Sequence, residues 1–258
     1  MGSYLISKTM RRRTWGCDMF ARLIKFEFKN LLRDRMTAML LAYPLMVGFL
    51  GKYLFENDTF DENGIRIMIV ALSIVSGVIF GSMSGFSILD DRDDHVFVSI
   101  RISPLDIRIY VWFKIIFVYI MSVLSNLLIY WIVGGFGIDL WLYVIISMLL
   151  AMQVPIHAFI VNALASNKVE GFMAMKGSGF LMIFPIGALF FLDWKEWLFA
   201  LAPAFWGAKA VQYELLKPAI DLGLVEMNLS TFVYLGIGFF YNIVLIAVLY
   251  KVFEKKAL

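Results

Sequence analysis

Residues 109–165 contain two long apolar runs separated by four residues, three of which are glycine: IYVWFKIIFVYIMSVLSNLLIYWIV-GGFG-IDLWLYVIISMLLAMQVPIHAFIVNALA. A helix needs about 20 apolar residues to cross a hydrocarbon layer of about 30 Å. Both runs reach that length, and the four residues between them suffice only for a tight turn. The stretch therefore predicts a hairpin of two membrane-spanning helices, and it decides the fold class of the chain.

Four further apolar runs complete the pattern. The six runs cover residues 36–55, 65–89, 109–133, 138–165, 177–193 and 230–252. Five of them are long enough to span a membrane as a helix. The fifth is shorter, and Gly177 and Gly179 at its start suggest an irregular beginning. The chain is predicted to be an all-α polytopic membrane protein with six transmembrane helices.

The distribution of basic residues predicts the orientation. If both termini are cytoplasmic, 18 of the 23 lysines and arginines lie on the inner side and only 5 on the outer side. Membrane proteins concentrate basic residues in their cytoplasmic segments. The composition agrees, because 61% of the residues are hydrophobic and only 17% are charged, with a mean hydropathy of +0.81. We expect a multi-pass protein of the cell membrane, of the bacterial plasma membrane type.

The runs divide the chain into four regions. Residues 1–17 form a basic tail with three consecutive arginines, which we expect to be attracted to anionic lipids. Residues 18–35 alternate apolar and basic positions at helical spacing, which predicts an amphipathic helix in the inner membrane interface; the alternative is an ordinary cytoplasmic lead-in. The six-span domain covers residues 36–252, and a short tail covers residues 253–258.

Residues 194–229, here named the outer segment, join the last two runs on the predicted outer side. The first part is rich in Trp, Phe and Leu and is interrupted by Pro203, and a more polar part follows. The segment is too short to cross the membrane twice. Two interpretations remain open: a partly re-entrant segment whose backbone is covered by protein or water, or an interfacial helix held by a belt of tryptophans.

The sequence lacks the motifs of a catalyst. Two histidines, His95 and His157, cannot form a multi-histidine metal site, and the single Cys17 excludes a CxxC motif. No Asp or Glu lies in the interior of a predicted span, which argues against an autonomous ion-coupled transporter. No GxxxxGK[ST] motif is present, so ATP cannot bind by that route. We expect no catalytic residue, metal or cofactor in this chain, no nucleic-acid partner, and an energy source on a partner protein.

The inner loop, residues 90–108, combines carboxylates with apolar residues. Val96, Phe97 and Ile100 would share one face of a short helix, but the apolar residues up to Ile102 also alternate, so helix and strand both remain open. Exposed apolar residues beside four aspartates favour docking of a soluble partner over a merely solvated face. The candidate docking residues are Asp90, Asp91, Arg92, Asp93, Asp94, His95, Val96, Phe97, Ile100 and Arg101.

Small and polar residues lie inside the predicted spans. A small residue recurs every four positions along the second span, at Ser73, Gly77, Gly81 and Gly85. Such a ridge allows very close helix approach, either to a second copy or moving helix, or to a neighbouring span of the same chain. Polar side chains in the spans are expected to hydrogen-bond between helices rather than to bind substrate. These are Asn126, Gln153, His157, Asn162 and Asn242.

Several segments resemble the type-2 ABC-exporter permeases, in particular their antibiotic, drug and peptide export branch. Residues 90–105 (DDRDDHVFVSIRISPL) are similar to the acidic loop of that family, which ends in Ser/Thr-Pro-Leu. Residues 167–171 (NKVEG), Pro185 in the fifth run, and residues 202–206 (APAFW) resemble further segments of the family. The resemblance covers about residues 18–255. His95 departs from it, since family members often have glycine there.

The resemblance implies a permease subunit of an ATP-driven exporter. Two such permeases and two ATP-binding cassette subunits would form the working unit, with ATP and magnesium on the partner subunit. Loop 90–108 would carry the coupling helix, and the cargo would be a drug, an antimicrobial or toxic peptide, or a lipid. A lipid-linked polysaccharide export permease and a non-transport scaffold or signalling subunit are the alternatives. Candidate residues of the translocation path on spans two and five are Phe80, Met83, Met182, Phe184, Phe190 and Phe191.

Overall fold

The computed structural model describes residues 35–57, 62–102 and 105–257, together with 24, 25 and 29. Residues Tyr43–Leu258 form one compact unit and Met1–Ala42 another. The predicted basic tail, most of the predicted interfacial helix and the Ser-Pro end of loop 90–108 lie outside the described residues. The predictions for these segments therefore stay predictions.

The regular structure of the described residues is entirely helical, as predicted. A 3-10 helix, Trp194–Phe199, precedes the ninth α-helix. The α-helices are α1 (Arg35–Glu56), α2 (Glu62–Asp93), α3 (Val96–Arg101), α4 (Ile107–Val133), α5 (Leu140–Ala151), α6 (Gln153–Leu164), α7 (Lys168–Ser178), α8 (Phe180–Ala188), α9 (Phe205–Asp221) and α10 (Thr231–Ala257).

Within the described residues, four helical stretches are long and apolar enough to cross a membrane: Ile67–Asp93, Ile107–Val133, Leu140–Leu164 and Thr231–Lys256. They correspond to the second, third, fourth and sixth predicted runs. The third stretch consists of α5 and α6, which meet at Met152. The first run is also helical, as α1. We call the end of the unit that carries loop 90–108 the inner end, and the opposite end the outer end.

The fifth run does not form one continuous helix. Two helices cover this region. Helix α7 begins at Lys168, before the start of the predicted run at residue 177, and α8 ends at Ala188, before the predicted end at residue 193. The two helices meet at Gly179, in agreement with the irregular start that the glycines suggested. Pro185 lies inside α8, where a proline removes a backbone hydrogen bond and shortens helices. The 177–193 run is therefore a broken helical segment.

The core is held together by aromatic side chains near both ends. At the outer end the buried cluster includes Tyr143, Phe205 and Tyr234, from three different helices. At the inner end Phe159 of α6 contacts Trp112 of α4 and both Tyr250 and Phe253 of α10, with ring centroids 5.4–5.5 Å apart. Such rings bury large apolar areas and stabilise helix contacts through their edges and faces.

The glycine ridge of α2 faces the α5–α6 span of the same chain. A Cβ atom at Gly77 would lie 2.7 Å from the Leu150 carbonyl oxygen, and one at Gly85 would lie 3.1 Å from the Cβ of Val161. At the start of the ridge, Ser73 Oγ and Tyr143 OH are 2.9 Å apart. Small residues permit this approach because the two backbones nearly touch. The structure thus assigns the ridge to packing between neighbouring spans.

Two of the polar side chains in the spans bond between segments as expected. Asn162 donates to the Gly85 carbonyl oxygen on α2 (2.9 Å), and Asn242 donates to the Pro203 carbonyl oxygen in the outer segment (3.2 Å). His157 differs, because its Nδ1 lies 3.0 Å from the Gln153 carbonyl oxygen of its own helix. This bond lies within one helical turn and does not join two helices.

Candidate functional site: the inner loop

Loop 90–108 is a continuation of α2 followed by a short helix. Helix α2 extends to Asp93, Asp94 and His95 form a turn, and α3 covers Val96–Arg101. The sequence pattern allowed either a helix or a strand here. The helix forms because the chain turns sharply after Asp93 and the backbone groups of the turn bond locally, with His95 accepting from the amides of Val98 and Ser99.

His95 has the left-handed backbone conformation that makes this turn possible, with φ of 58° and ψ of 22°. Non-glycine residues rarely adopt positive φ, since the Cβ atom crowds the backbone. Glycine adopts it without that penalty. Position 95 therefore has a backbone conformation that glycine adopts more readily than histidine.

We expect His95→Gly to change the unfolding free energy by less than about 1 kcal/mol, because relief of strain offsets the extra freedom of the unfolded chain. His95→Val should lower it by about 1–3 kcal/mol, since a β-branched residue is strained at positive φ. Thermal unfolding of the purified protein in detergent measures both. Ser99→Val, in the exposed part of α3, is the control and should be nearly neutral. Equal stability of His95→Val and Ser99→Val would contradict the strain argument.

The expectation that Phe97 and Ile100 are exposed for docking is wrong. Phe97 is 6% exposed and Ile100 is 9% exposed, because α3 packs against α2 and α4. The exposed apolar residues of this element are Val98 (59%) and Ile102 (90%) instead. They are four positions apart and therefore share one face of the helical turn.

The four aspartates divide into two pairs with different surroundings. Asp91 forms an ion pair with Lys114 and accepts a hydrogen bond from Tyr110 OH (2.9 Å), both on α4. Asp90 pairs with Lys168 at the start of α7 (3.1 Å), and this bond raises the pKa of the Lys168 ammonium. These two carboxylates hold neighbouring elements in place.

Asp93 and Asp94 are exposed. Val98 and Ile102 are exposed as well, and we name these four residues the docking face, after the role that the sequence predicts for the loop. Arg92, between the two aspartate pairs, points back into the protein and donates to the Ala165 carbonyl oxygen. The docking face therefore keeps Asp93 and Asp94 from the set proposed from sequence and adds Val98 and Ile102, which that set did not contain.

The NKVEG segment, residues 167–171, forms the cap and the first turn of α7. Asn167 caps α7 by accepting from the amide of Glu170 (3.0 Å), and the Glu170 carboxylate accepts from the amide of Ser166 (2.7 Å). This reciprocal bonding satisfies backbone donors at a helix start. Gly171 lies close to α2, since a Cβ there would be 2.7 Å from Leu89 Cδ2. The segment thus fastens α7 against the inner end of α2.

The candidate path residues have different surroundings. Phe80 and Met83 are buried within the unit, whereas Phe190 is exposed. Phe184 and Phe191 each contact Phe199 of the 3-10 helix, with ring centroids 5.7 Å apart. Sequence reasoning missed Phe199, which connects them. For Met182 only the helical backbone of α8 is described.

A buried ion pair in the outer segment was also missed. Glu196 and Lys209 are both 0% exposed, and Lys209 Nζ lies 2.6 Å from Glu196 Oε2. Burial lowers the pKa of the Lys209 ammonium, and the hydrogen bond to Glu196 opposes this shift. In sequence, Lys209 is one of five basic residues on the predicted outer side and follows the APAFW segment of the resemblance. Its position in a stretch otherwise poor in charge was a further signal.

The long apolar helices and the polar contacts between them define a polytopic helical membrane protein. The family model described as fluoroquinolones export permease protein Rv2686c-like matches residues 27–250. Two Mycobacterium tuberculosis proteins are similar over most of their length: the fluoroquinolones export permease proteins Rv2686c (strain ATCC 25618 / H37Rv) and MT2760 (strain CDC 1551 / Oshkosh). Each is 23% identical over 246 residues, which cover 89% of this chain and 92% of the relative.

The match over most of the chain shows that it belongs to the Rv2686c-like family of export permeases. It is a multi-pass protein of the cell membrane. The resemblance to export permeases that the sequence motifs indicated is thereby confirmed at the level of the family.

Proposed function

We propose that this chain is the six-span permease subunit of an ATP-driven exporter of drug-like molecules, with fluoroquinolones as the first cargo to test. The observation that supports this most directly is the family match over residues 27–250, together with relatives named as fluoroquinolone export permeases. The chain has no P-loop of its own, so ATP and magnesium would bind on a partner ATP-binding cassette subunit. A second permease copy would complete the unit.

The docking face is the proposed contact with that ATPase. Val98 and Ile102 offer apolar surface for a cleft, since burying a large apolar side chain contributes about 1.5–3 kcal/mol. Asp93 and Asp94 are placed to pair with partner lysines or arginines and to orient the contact. Asp91 and Asp90 connect the loop to α4 and α7, so a push on α3 would be transmitted to three helices. This is how ATP-driven movement would reach the spans.

The proposed cargo path consists of the six candidate path residues named in the sequence analysis, together with Phe199. Phe191 stacks on Phe199 and Phe184 meets it edge to face, at the junction of α8 and the outer segment. Aromatic faces of this kind suit a planar aromatic cargo, because aromatic pairs gain about 0.5–1.5 kcal/mol beyond their buried area. Phe80 and Met83 are buried and would take part only after the helices move.

Drug accumulation tests the function. A bacterial strain without its own drug exporters would express this chain together with the ATP-binding cassette protein encoded nearest to it. We expect severalfold lower cellular fluoroquinolone than in cells with either protein alone. A variant ATPase lacking the Walker lysine should abolish the difference, since phosphate binding depends on that residue. If cellular fluoroquinolone is not lowered although the ATPase co-purifies with this chain, a scaffold role or another cargo would be favoured.

Reporter fusions test the six-span topology. Because 18 of 23 basic residues fall on the predicted inner side, a reporter after Asp93 should be cytoplasmic and one after Asp221 extracytoplasmic. Alkaline phosphatase, active outside, and a fluorescent protein that folds inside would be fused at both positions. Phosphatase activity at Asp93 would reverse the assignment of the inner and outer ends.

A further inference from the structure

The buried ion pair lies in the outer segment, which the proposed coupling mechanism does not use. Glu196 is on the 3-10 helix and Lys209 on α9, and neither is exposed. Charges are costly to remove from water unless each is fully bonded within the protein. Besides their contact with each other, Lys209 and Glu196 each bond to further segments of the chain, which indicates what the pair holds together.

Lys209 and Glu196 form hydrogen bonds to several segments of the chain. Lys209 Nζ donates to the Phe191 carbonyl oxygen (2.6 Å), in the stretch after α8, and to Gln212 Oε1 (3.0 Å), on α9 itself. Glu196 Oε1 accepts from Tyr234 OH (2.7 Å), on the last span, α10. The pair therefore joins the end of the fifth run, the 3-10 helix, α9 and α10.

Side chains of α10 make three further bonds to the outer segment. Thr231 donates to the Glu214 carboxylate, and Tyr241 donates to the Leu201 carbonyl oxygen (2.6 Å). Asn242 donates to the Pro203 carbonyl oxygen (3.2 Å). With the Tyr234 bond, these contacts extend over about three helical turns of α10. The last span thus holds the outer segment along much of its own outer half.

We propose that Glu196, Lys209 and Tyr234 form a latch that keeps the outer segment closed over the outer end of the unit and makes it move together with the last span. Ala202, Ala204 and Phe205, directly between the latch residues in sequence, are buried. Release of the latch would expose them to water. The proposal does not depend on ATP-driven export, since it concerns contacts within one chain.

Thiol labelling tests the latch. Cys17 is the single cysteine, so Cys17→Ser with Ala202→Cys leaves one buried thiol as the reporter. Membranes opened by freezing and thawing are treated with a membrane-impermeant maleimide, which makes the result independent of sidedness. Lys209→Met leaves the Glu196 charge buried and should raise the labelling rate about 100-fold. Tyr234→Phe removes one bond to a charged group and should raise it about tenfold.

Two controls make the result specific. Lys195→Met removes a pair with Asp193 in the same segment (3.3 Å), but both side chains are half exposed, so labelling should stay at the original rate. Leu201→Cys, at an exposed position, should be labelled rapidly in every variant that reaches the membrane. If Lys209→Met is not inserted, Tyr234→Phe decides alone. Labelling of Tyr234→Phe at the Lys195→Met rate would overturn the latch.

Discussion

Replacing Gly81 with leucine should prevent the second span from packing against the fourth. A Cβ at Gly81 would lie 2.9 Å from His157 Cβ, 3.0 Å from the Gln153 carbonyl oxygen and 3.1 Å from Val154 Cα. Two of these atoms belong to the backbone, so a rotamer change cannot relieve the clash. Gly81→Ala should cost about 1–3 kcal/mol by overpacking, and Gly81→Leu should leave little folded protein. Yield in the membrane and thermal stability in detergent measure both effects.

Gly236 provides the matched control. It also lies in a long apolar helix, α10, but a Cβ there would meet nothing within 4 Å in the described structure. Gly236→Leu should therefore insert and remain stable, unless a partner occupies that surface. Equal yields of Gly81→Leu and Gly236→Leu would show that the second and fourth spans do not approach as closely as described.

Replacing Val98 and Ile102 with aspartate should disconnect the permease from its ATPase without unfolding it. Both side chains are exposed in this chain, so the folded permease loses little. At the proposed contact, each replaced side chain should weaken binding about tenfold or more, because about 1.5–3 kcal/mol of apolar burial is lost. Co-purification of the ATPase and fluoroquinolone accumulation are the measurements.

The controls separate docking from folding. Ser99→Asp adds the same charge to α3 without removing apolar surface and should have a smaller effect. Phe97→Ala should instead destabilise the permease by about 3–5 kcal/mol, since it leaves a cavity under α3. Asp93→Asn and Asp94→Asn should weaken binding modestly, and less so at high salt. Full ATPase binding by the Val98 and Ile102 variants would remove the docking face from the mechanism.

The orientation of α3 could not be predicted from the sequence. The spacing of Val96, Phe97 and Ile100 allowed either an apolar helical face or a strand, and a helix with buried Phe97 and Ile100 is what forms. Periodicity identifies which residues share a face, but it does not tell whether that face meets the same chain or a partner. Only the packing of α3 against α2 and α4 assigns Phe97 to the interior and leaves Ile102 outside.

The pairing of charges in the outer segment could not be predicted from the sequence either. Composition predicted an apolar stretch too short to span twice, and the structure forms a 3-10 helix and α9 there. The partner of Lys209 could not be predicted, because Glu196 is 13 positions away and on another element. The ion pair depends on how two short helices meet.

Local hydrophobicity by itself determined the all-helical membrane class, since a run of about 20 apolar residues has to satisfy its backbone hydrogen bonds internally when no water is near. The four stretches long enough to cross the membrane were predicted from this property alone. The partner of the glycine ridge, the exposed face of α3 and the Glu196–Lys209 pair were decided by tertiary structure. Each depends on the distance between residues far apart in sequence, which close packing sets and local composition does not encode.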